Sequence, residues 1–238
     1  MSYHHTSRIL FWGLGALTLG VLSTHGQVLH TETHTFDTFA GQPSLAIPDG
    51  DLLGIPDSRN ITSDISSLSR VEVTLNISGG FIGDLYAYLR HGSGFSILLN
   101  RLGRSSEQPF GYDDPALSIR LADNAPNGNV HFYRNVLTPA PGQSLAGTWA
   151  PDGRKIPPIA EADLFSVTPS TAGFDGFAGI DPDGTWTLFL ADVSGGIQHQ
   201  LDAWSLQLTG VPEPKPFAVL TSCLLLASVA HQRWLRRR

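Results

Sequence analysis

Aspartates in short, turn-like stretches are the residues of this chain whose type and placement could do chemistry. They are Asp84 in "GGFIGD", Asp113 and Asp114 in "GYDDPA", Asp49 and Asp51 in "IPDGD", and Asp175 in "FDG". Calcium takes about six to eight oxygen ligands, which loop carboxylates and backbone carbonyls commonly supply. The pattern therefore predicts a calcium site that draws on some of these aspartates. The alternative stays open that each one only stabilises a turn by accepting hydrogen bonds from nearby backbone amides.

A histidine and a serine stand close together in "HGSG", residues 91–94. A serine nucleophile needs a positioned base and an oxyanion site, and the chain has no Gly-x-Ser-x-Gly elbow. Alternating segments flank the tetrapeptide on both sides, so we predict a hairpin turn there and no catalytic residue. The other histidines of the middle region, expected to be solvated and without metal-ligand spacing, are His30, His34, His131 and His199.

Apolar and polar residues alternate with a period of two through the middle of the chain, which is typical of half-buried antiparallel strands. The alternating segments are residues 71–77, 84–90, 95–100, 116–122, 185–191 and 203–209. Clusters of Gly, Asn, Asp and Pro separate them and supply turn geometries. This predicts an all-β protein, an antiparallel β-sandwich or jelly roll. The Pro- and Gly-rich residues 130–179 are interpreted as a long surface excursion, not as a second domain.

Composition limits the partners of this middle region, residues 27–210, which is long enough for one domain with a core. It carries 20 Asp and Glu against nine Lys and Arg, a formal net charge of −11. Such a charge disfavours nucleic acid and anionic lipid as partners. The single cysteine of the 238-residue chain is Cys223, beyond this region, so the domain has no disulfide.

The N-terminal residues 1–26 have the order of a secretory signal peptide. His4, His5 and Arg8 precede the apolar residues 9–23, and Gly26 marks the expected cleavage point. An uncleaved anchor helix is the alternative, although the apolar run is shorter than a span of about 20 residues.

Four short motifs follow one another along the middle region: Gly83-Asp84-Leu85, Leu98-Leu99-Asn100, Gly184-Thr185-Trp186-Thr187-Leu188 and Trp204-Ser205-Leu206. Their order is similar to that in the P domain (P/Homo B domain) of kexin- and furin-like proprotein convertases. Residues 45–210 therefore resemble this family, which implies a jelly-roll-like, galactose-binding-like β-sandwich. Several such domains bind calcium, so the resemblance strengthens the expectation of a calcium site. P domains accompany serine endopeptidases, but no segment here resembles the protease domain, and we predict a chain that is not an enzyme.

The C-terminal residues 211–238 combine Pro212, Glu213 and Pro214, an apolar run over residues 217–230, and a basic end. The arginines of that end are Arg233, Arg236, Arg237 and Arg238. This order resembles a bacterial PEP-CTERM sorting signal, which implies recognition in the inner membrane by an exosortase. The 14 apolar residues predict a short transmembrane helix, since a full span takes about 20 residues, with the arginines on the cytoplasmic side. Cleavage or retention of the tail stays open.

Together these features favour an exported, non-catalytic β-sandwich that acts as a binding or structural module at the cell surface or in an extracellular polysaccharide matrix. A second hypothesis is an accessory domain that stabilises or targets a separate subtilisin-like serine endopeptidase. A hydrolase with an unrecognised site is a third hypothesis.

Overall fold

The computed structural model describes residues 28–213 and 232–235, and β-strands are the main regular secondary structure of the first of these ranges. The strands are β1 His30–Phe36, β2 Leu45–Ile47, β3 Asp51–Ile61, β4 Ile65–Ser78, β5 Leu85–His91, β6 Gly94–Asn100, β7 Leu117–Leu121, β8 Leu145–Trp149, β9 Gly184–Asp192 and β10 His199–Pro212. The helical segments between them are a single turn of α-helix, α1 Leu164–Val167, and 3₁₀ segments at Ile82–Asp84, Val130–Asn135 and Phe174–Phe177. The all-β prediction is confirmed.

The strands form two sheets. The first sheet has the order β1-β10-β4-β7-β8, with β2 also paired to β10, and the second has the order β3-β9-β5-β6. All neighbours are antiparallel except β7 and β8, which are parallel. The predicted antiparallel arrangement is therefore confirmed apart from that one pair.

The core lies between the two sheets and contains the apolar face that the alternation predicted. Val73 and Leu75 of β4 and Leu188 and Leu190 of β9 have no exposed surface. Buried apolar residues from both sheets form one continuous cluster. Successive side chains of a strand point to opposite faces, so one face of each sheet closes the core and the other faces outward.

Strands β1, β2, β3 and β8 were missed because their sequences are too short for the pattern or lack a clean apolar alternation. Strand β1 reads "HTETHTF" and is mostly polar. Strand β3 contains Gly54 and Pro56, residues that weaken or interrupt sheets. The position of β3 at the edge of the second sheet explains its tolerance for proline, because one side of an edge strand has no ladder partner.

Residues 130–179 pack into the sandwich more deeply than a surface excursion would. Tyr133, Trp149 and Phe177 are fully buried and belong to the same core cluster as the sheets. Strand β8 also extends the first sheet by pairing with β7. The interpretation as a purely surface segment is therefore wrong, because aromatic residues spaced far apart in this segment are brought together on the core.

The last strand continues beyond the expected end of the domain at residue 210. Val211 pairs with Ser67, Pro212 pairs with Ile65, and the Glu213 amide donates to the Asp64 carbonyl over 2.8 Å. The predicted signal peptide, Pro214, Arg236, Arg237, Arg238 and the predicted transmembrane helix at residues 217–230 lie outside the described residues. Within residues 28–213 and 232–235, no helix has the length and apolarity to cross a membrane.

Candidate functional site

The "HGSG" segment is a hairpin turn, as predicted. Strand β5 ends at His91 and β6 begins at Gly94, and Gly92 has a φ of 54°, which glycine adopts without strain. The ring of His91 stacks on Trp186 at 4.3 Å, and its two nitrogens lie 3.0 Å and 2.8 Å from backbone carbonyl oxygens. Both ring nitrogens thus face backbone groups, and the imidazole is not placed as a base for Ser93.

Asp84 lies directly before β5, where it contacts a buried arginine. The Arg101 guanidinium donates to Asp84 Oδ1 over 3.2 Å and to the Gly83 carbonyl over 3.0 Å. It also donates to Ser194 Oγ over 3.1 Å. Burial raises the pKa of the Asp84 carboxyl above its ordinary value, although Ser194 and Arg101 oppose this shift. The surroundings of Asp84 are those of a structural ion pair.

Asp113 and Asp114 share one cation. Arg134 Nη2 donates to Asp113 Oδ1 over 2.5 Å, and Arg134 Nε donates to Asp114 Oδ2 over 3.0 Å. The Tyr133 hydroxyl also donates to Asp114, and the Arg134 hydrogen bond lowers the pKa of the Asp113 carboxyl. These two aspartates already have a positive partner, which a calcium ion would have to displace.

Asp49 and Asp51 bind backbone amides, as the alternative to calcium ligation proposed. The Asp49 carboxylate accepts from the Gly196 amide at 3.0 Å and 3.1 Å. Asp51 Oδ1 accepts from the Leu53 amide, two residues along, at 2.8 Å. Among the calcium candidates, Asp113 and Asp114 thus share Arg134, whereas Asp49 and Asp84 both contact the β9–β10 connection, Asp49 through Gly196 and Asp84 through Ser194.

Asp175 lies on a polar groove that we name the Asp175 groove. Two cavities of about 270 Å³ and 280 Å³ share Asp123, Asn124 and Asp175 in their walls. The remaining polar walls are Ser69, Arg70 and Glu72 on one side and Ser170 and Thr171 on the other. The groove thus offers hydroxyl, amide and carboxylate groups and one guanidinium group.

The Asp123 carboxyl of the Asp175 groove is partly withdrawn from solvent and lies beside a second carboxyl. Burial raises its pKa, and the neighbouring Asp175 carboxylate adds to the rise. A hydrogen bond of 2.8 Å from the Phe174 amide to Asp123 Oδ1 opposes the shift. The sequence prediction included Asp175 but missed Asp123, because the two are 52 positions apart and come together only in the fold.

Two histidines that were expected to be solvated are fully buried and paired with carboxylates. His131 Nδ1 lies 2.7 Å from Asp152 Oδ2, and His199 Nδ1 lies 2.7 Å from Asp192 Oδ2. All four side chains are at most 1% exposed. Room for the His199 ring comes from Gly80, where an added Cβ would lie 2.1 Å from the imidazole. The expectation of solvation is therefore wrong for both histidines.

Neither buried pair has the arrangement of a catalytic dyad with a nucleophile. His131 Nε2 lies 3.1 Å from the Arg104 carbonyl oxygen, and His199 Nε2 has no hydrogen-bond partner among the residues described. Since a nucleophile is activated by a hydrogen bond to its base, we assign both pairs a structural role.

A third group of ligand-type side chains was missed altogether. His30 and Glu32 of β1 and Asp64 of the β3–β4 connection bring one potential metal-ligand atom each to within 4.8 Å of one another. The strand spacing of His30 and Glu32, two residues apart on one face, was a signal that the sequence did contain.

No protein-family model matches the sequence, and no curated protein matches it either. Among solved structures, the serine protease of Aeromonas sobria is similar over 77% of this chain and 27% of that chain, with 15% identity and a TM-score of 0.43. The complex of that protease with its chaperone is similar over 78% of this chain and 28% of that chain, again with 15% identity and a TM-score of 0.43. The chain thus spans little more than a quarter of the length of the chains it resembles, and similarity of this degree does not assign it to a family.

Proposed function

We propose that the chain is an exported, non-catalytic binding module of the cell surface or the extracellular matrix, with a jelly-roll-like sandwich as its scaffold. The observation that carries this proposal is the Asp175 groove. Its walls present several hydroxyl, amide and carboxylate groups within one concave surface, and convergent polar groups of this kind fix the orientation of a bound ligand. The chemical class that fits such walls is a polyhydroxylated polymer such as an extracellular polysaccharide.

The charge of the domain restricts which polymer fits. Residues 27–210 have a formal net charge of −11, and Asp123 and Asp175 place carboxyl groups in the groove itself. A neutral or amine-bearing polysaccharide therefore fits this groove better than a polyanion, because like charges repel in a concave site.

The roles of the histidines support a module without catalytic chemistry. His131 and His199 are enclosed with Asp152 and Asp192, and His91 faces two backbone carbonyls. None of these three imidazoles hydrogen-bonds a hydroxyl or thiol among the described residues. Acid–base or nucleophilic catalysis needs such a contact within hydrogen-bond reach of the reacting group.

Export and sorting are part of the proposal on the basis of the sequence alone. Residues 1–26 have the order of a signal peptide, and residues 211–238 resemble a tail that an exosortase would recognise in the inner membrane. Deletion of residues 214–238, which leaves strand β10 and its pairing with β4 intact, is expected to shift the protein from the surface fraction to the soluble exported fraction. Retention of the truncated chain in the surface fraction would contradict the sorting role.

Binding to polysaccharide is measurable by affinity electrophoresis of the full chain in detergent, in gels that contain the extracellular polysaccharide of the producing cells. Asp175→Asn removes a negative charge from the groove, and Asn124→Ala removes an amide group. A hydrogen bond to a charged group contributes about 1.5–3 kcal/mol, so Asp175→Asn should weaken binding about 10- to 100-fold. Asp37→Asn, which removes an exposed carboxylate outside the groove, is the matched control and should bind like the parent.

A second candidate function is that of an accessory domain for a separate subtilisin-like protease. The observation in its favour is the P-domain-like order of motifs, in which Gly83 and Asp84 lead into strand β5 at Leu85, and Trp186 and Trp204 anchor two other strands in the core. The test is to mix the chain with a subtilisin-like protease encoded beside it and measure the protease's melting temperature. A rise with no polysaccharide retardation would favour this second function over the first.

A further inference from the structure

Strand β1 carries three ligand-type side chains on one face. Because successive residues of a strand alternate between faces, His30, Glu32 and His34 point the same way. Phe36 is the next residue on that face, and its ring packs against Trp204 at 4.6 Å. The three polar side chains therefore extend the core-facing side of β1 toward the rim of the sandwich.

Asp64 completes the group from a different part of the chain. It lies in the connection between β3 and β4, and its amide donates to Glu32 Oε1 over 2.8 Å. His30 Nε2 lies 3.4 Å from the same Glu32 oxygen. One ligand atom each from His30, Glu32 and Asp64 lie within 4.8 Å of one another. The fold thus brings an imidazole and two carboxylates together at one point.

The spacing of these atoms suits a small tetrahedral cation. Zinc bonds of about 2.0–2.1 Å place neighbouring ligand atoms about 3.3–3.4 Å apart in a tetrahedron. The 3.4 Å between His30 Nε2 and Glu32 Oε1 already has this value. The Asp64 side chain is exposed and can adjust by rotation, while a water would complete the coordination.

The neighbouring His34 provides a second indication of a metal site. Its Nε2 is buried and has no hydrogen-bond partner among the described residues, although it lies 3.3 Å from Glu32 Oε2. A buried polar atom without a partner is costly. Metal binding through Glu32 Oε1 would fix the carboxylate and let Oε2 accept a hydrogen bond from His34, the kind of outer contact that orients metal ligands.

We propose that His30, Glu32 and Asp64 bind a divalent transition metal of the zinc type, and that His34 positions Glu32. The mixture of one nitrogen and two oxygen ligands suits zinc, whereas calcium and magnesium prefer oxygen alone. The ion joins the edge strand β1 to the β3–β4 connection. This site is separate from the Asp175 groove and from the calcium candidates, so the failure of either proposal leaves the other intact.

Zinc chloride titration of the full chain in detergent, followed by calorimetry, tests the site. All proteins carry His4→Ala and His5→Ala, because that adjacent pair could bind zinc by itself. The parent is expected to bind one zinc per chain. Removal of an outer contact typically weakens metal binding about 10- to 100-fold, which is the expected effect of His34→Ala. His30→Ala and Glu32→Gln remove ligands and should each weaken binding by more than about 100-fold.

Matched controls separate ligation from general effects on the strand. Thr33→Ala changes the opposite face of β1, and Asp37→Asn removes a nearby exposed carboxylate; both should bind zinc like the parent. Zinc should raise the melting temperature of the parent and of both controls, but not that of His30→Ala, whose melting temperature in chelator should match the parent's. If the parent did not bind one zinc per chain, the cluster would be only an ion-pair network and the proposal would be overturned. Unchanged zinc affinity in His30→Ala, or displacement of zinc by equimolar calcium, would also overturn it.

Discussion

Replacement of Phe177 by alanine tests whether residues 130–179 are an integral part of the sandwich. The Phe177 side chain has no exposed surface, and its ring stacks on Trp186 at 5.3 Å. A Cβ added at Gly94 would lie 2.2 Å from the same ring, so the glycine on β6 and the phenylalanine are closely packed. The Phe177 side chain thus bridges the long interval and the second sheet.

The size of the effect follows from this burial. A fully buried Phe→Ala replacement lowers the free energy of unfolding by about 3–5 kcal/mol, a large part of the about 5–15 kcal/mol that stabilises a typical domain. For a domain of this size each kcal/mol corresponds to about 2–4 °C in melting temperature, so we expect a decrease of about 6–20 °C.

Urea and thermal unfolding of the full chain, followed by tryptophan fluorescence, measure this effect, since Trp186 lies against the replaced ring. Phe110→Ala is the matched control, because Phe110 is 78% exposed and exposed replacements change stability by about 0.5 kcal/mol or less. If Phe177→Ala and Phe110→Ala were equally stable within about 1 kcal/mol, the threshold between surface and core effects, the assignment of this interval to the core would be refuted.

Two further predictions concern the carboxylates. Burial raises the folded-state pKa of Asp123 above its ordinary value of 3.8, so ionisation of Asp123 lowers the stability of the fold as the pH rises above 3.8, and the loss is complete above the raised pKa. Asp123→Asn keeps an oxygen acceptor for the Phe174 amide and should therefore melt at a higher temperature than the parent at pH 7. The difference in melting temperature should fade as the pH falls toward 3.8. A lower melting temperature of Asp123→Asn at pH 7 would contradict this reasoning. A calcium site of the extracellular type, with a Kd of about 0.1–1 mM, would stabilise the folded protein by about 1–3 kcal/mol in 10 mM calcium. Asp175→Asn should remove this stabilisation, whereas Asp113→Asn should not, because Arg134 holds Asp113. Identical melting curves of the parent in calcium and in chelator would eliminate the calcium site.

The strands that the sequence predicted are those in which buried and exposed side chains alternate along neighbouring residues. In the alternating segments of β4, β5, β9 and β10, the apolar residues that face the core are buried, for example Val71, Leu85, Trp186 and Leu206. The alternation suffices because side chains on a strand point alternately to opposite faces whatever the rest of the chain does. Strand β1 was missed because its core-facing positions carry His30, Glu32 and His34, which have no apolar signal.

Sites assembled from distant segments were less predictable. Asp84, Asp113 and Asp114 could be singled out as carboxylates in turns, but their cations, Arg101 and Arg134, are 17 to 21 positions away in sequence. The sequence contains no signal for which carboxylate meets a guanidinium and which meets an amide, since these contacts depend on the packing of loops. The calcium prediction accordingly stays untested, while the partners of each candidate are now identified.

The sequence by itself determined the all-β class, the core faces of β4, β5, β7, β9 and β10 and the turn at residues 91–94, because period-two alternation and turn residues act over a few neighbouring positions. Only the tertiary structure decided that His131 and His199 are buried with Asp152 and Asp192. It alone brought Asp64 to Glu32 across 32 positions. Antiparallel pairing joins segments that are far apart in the chain, and the partner of a polar side chain depends on that pairing.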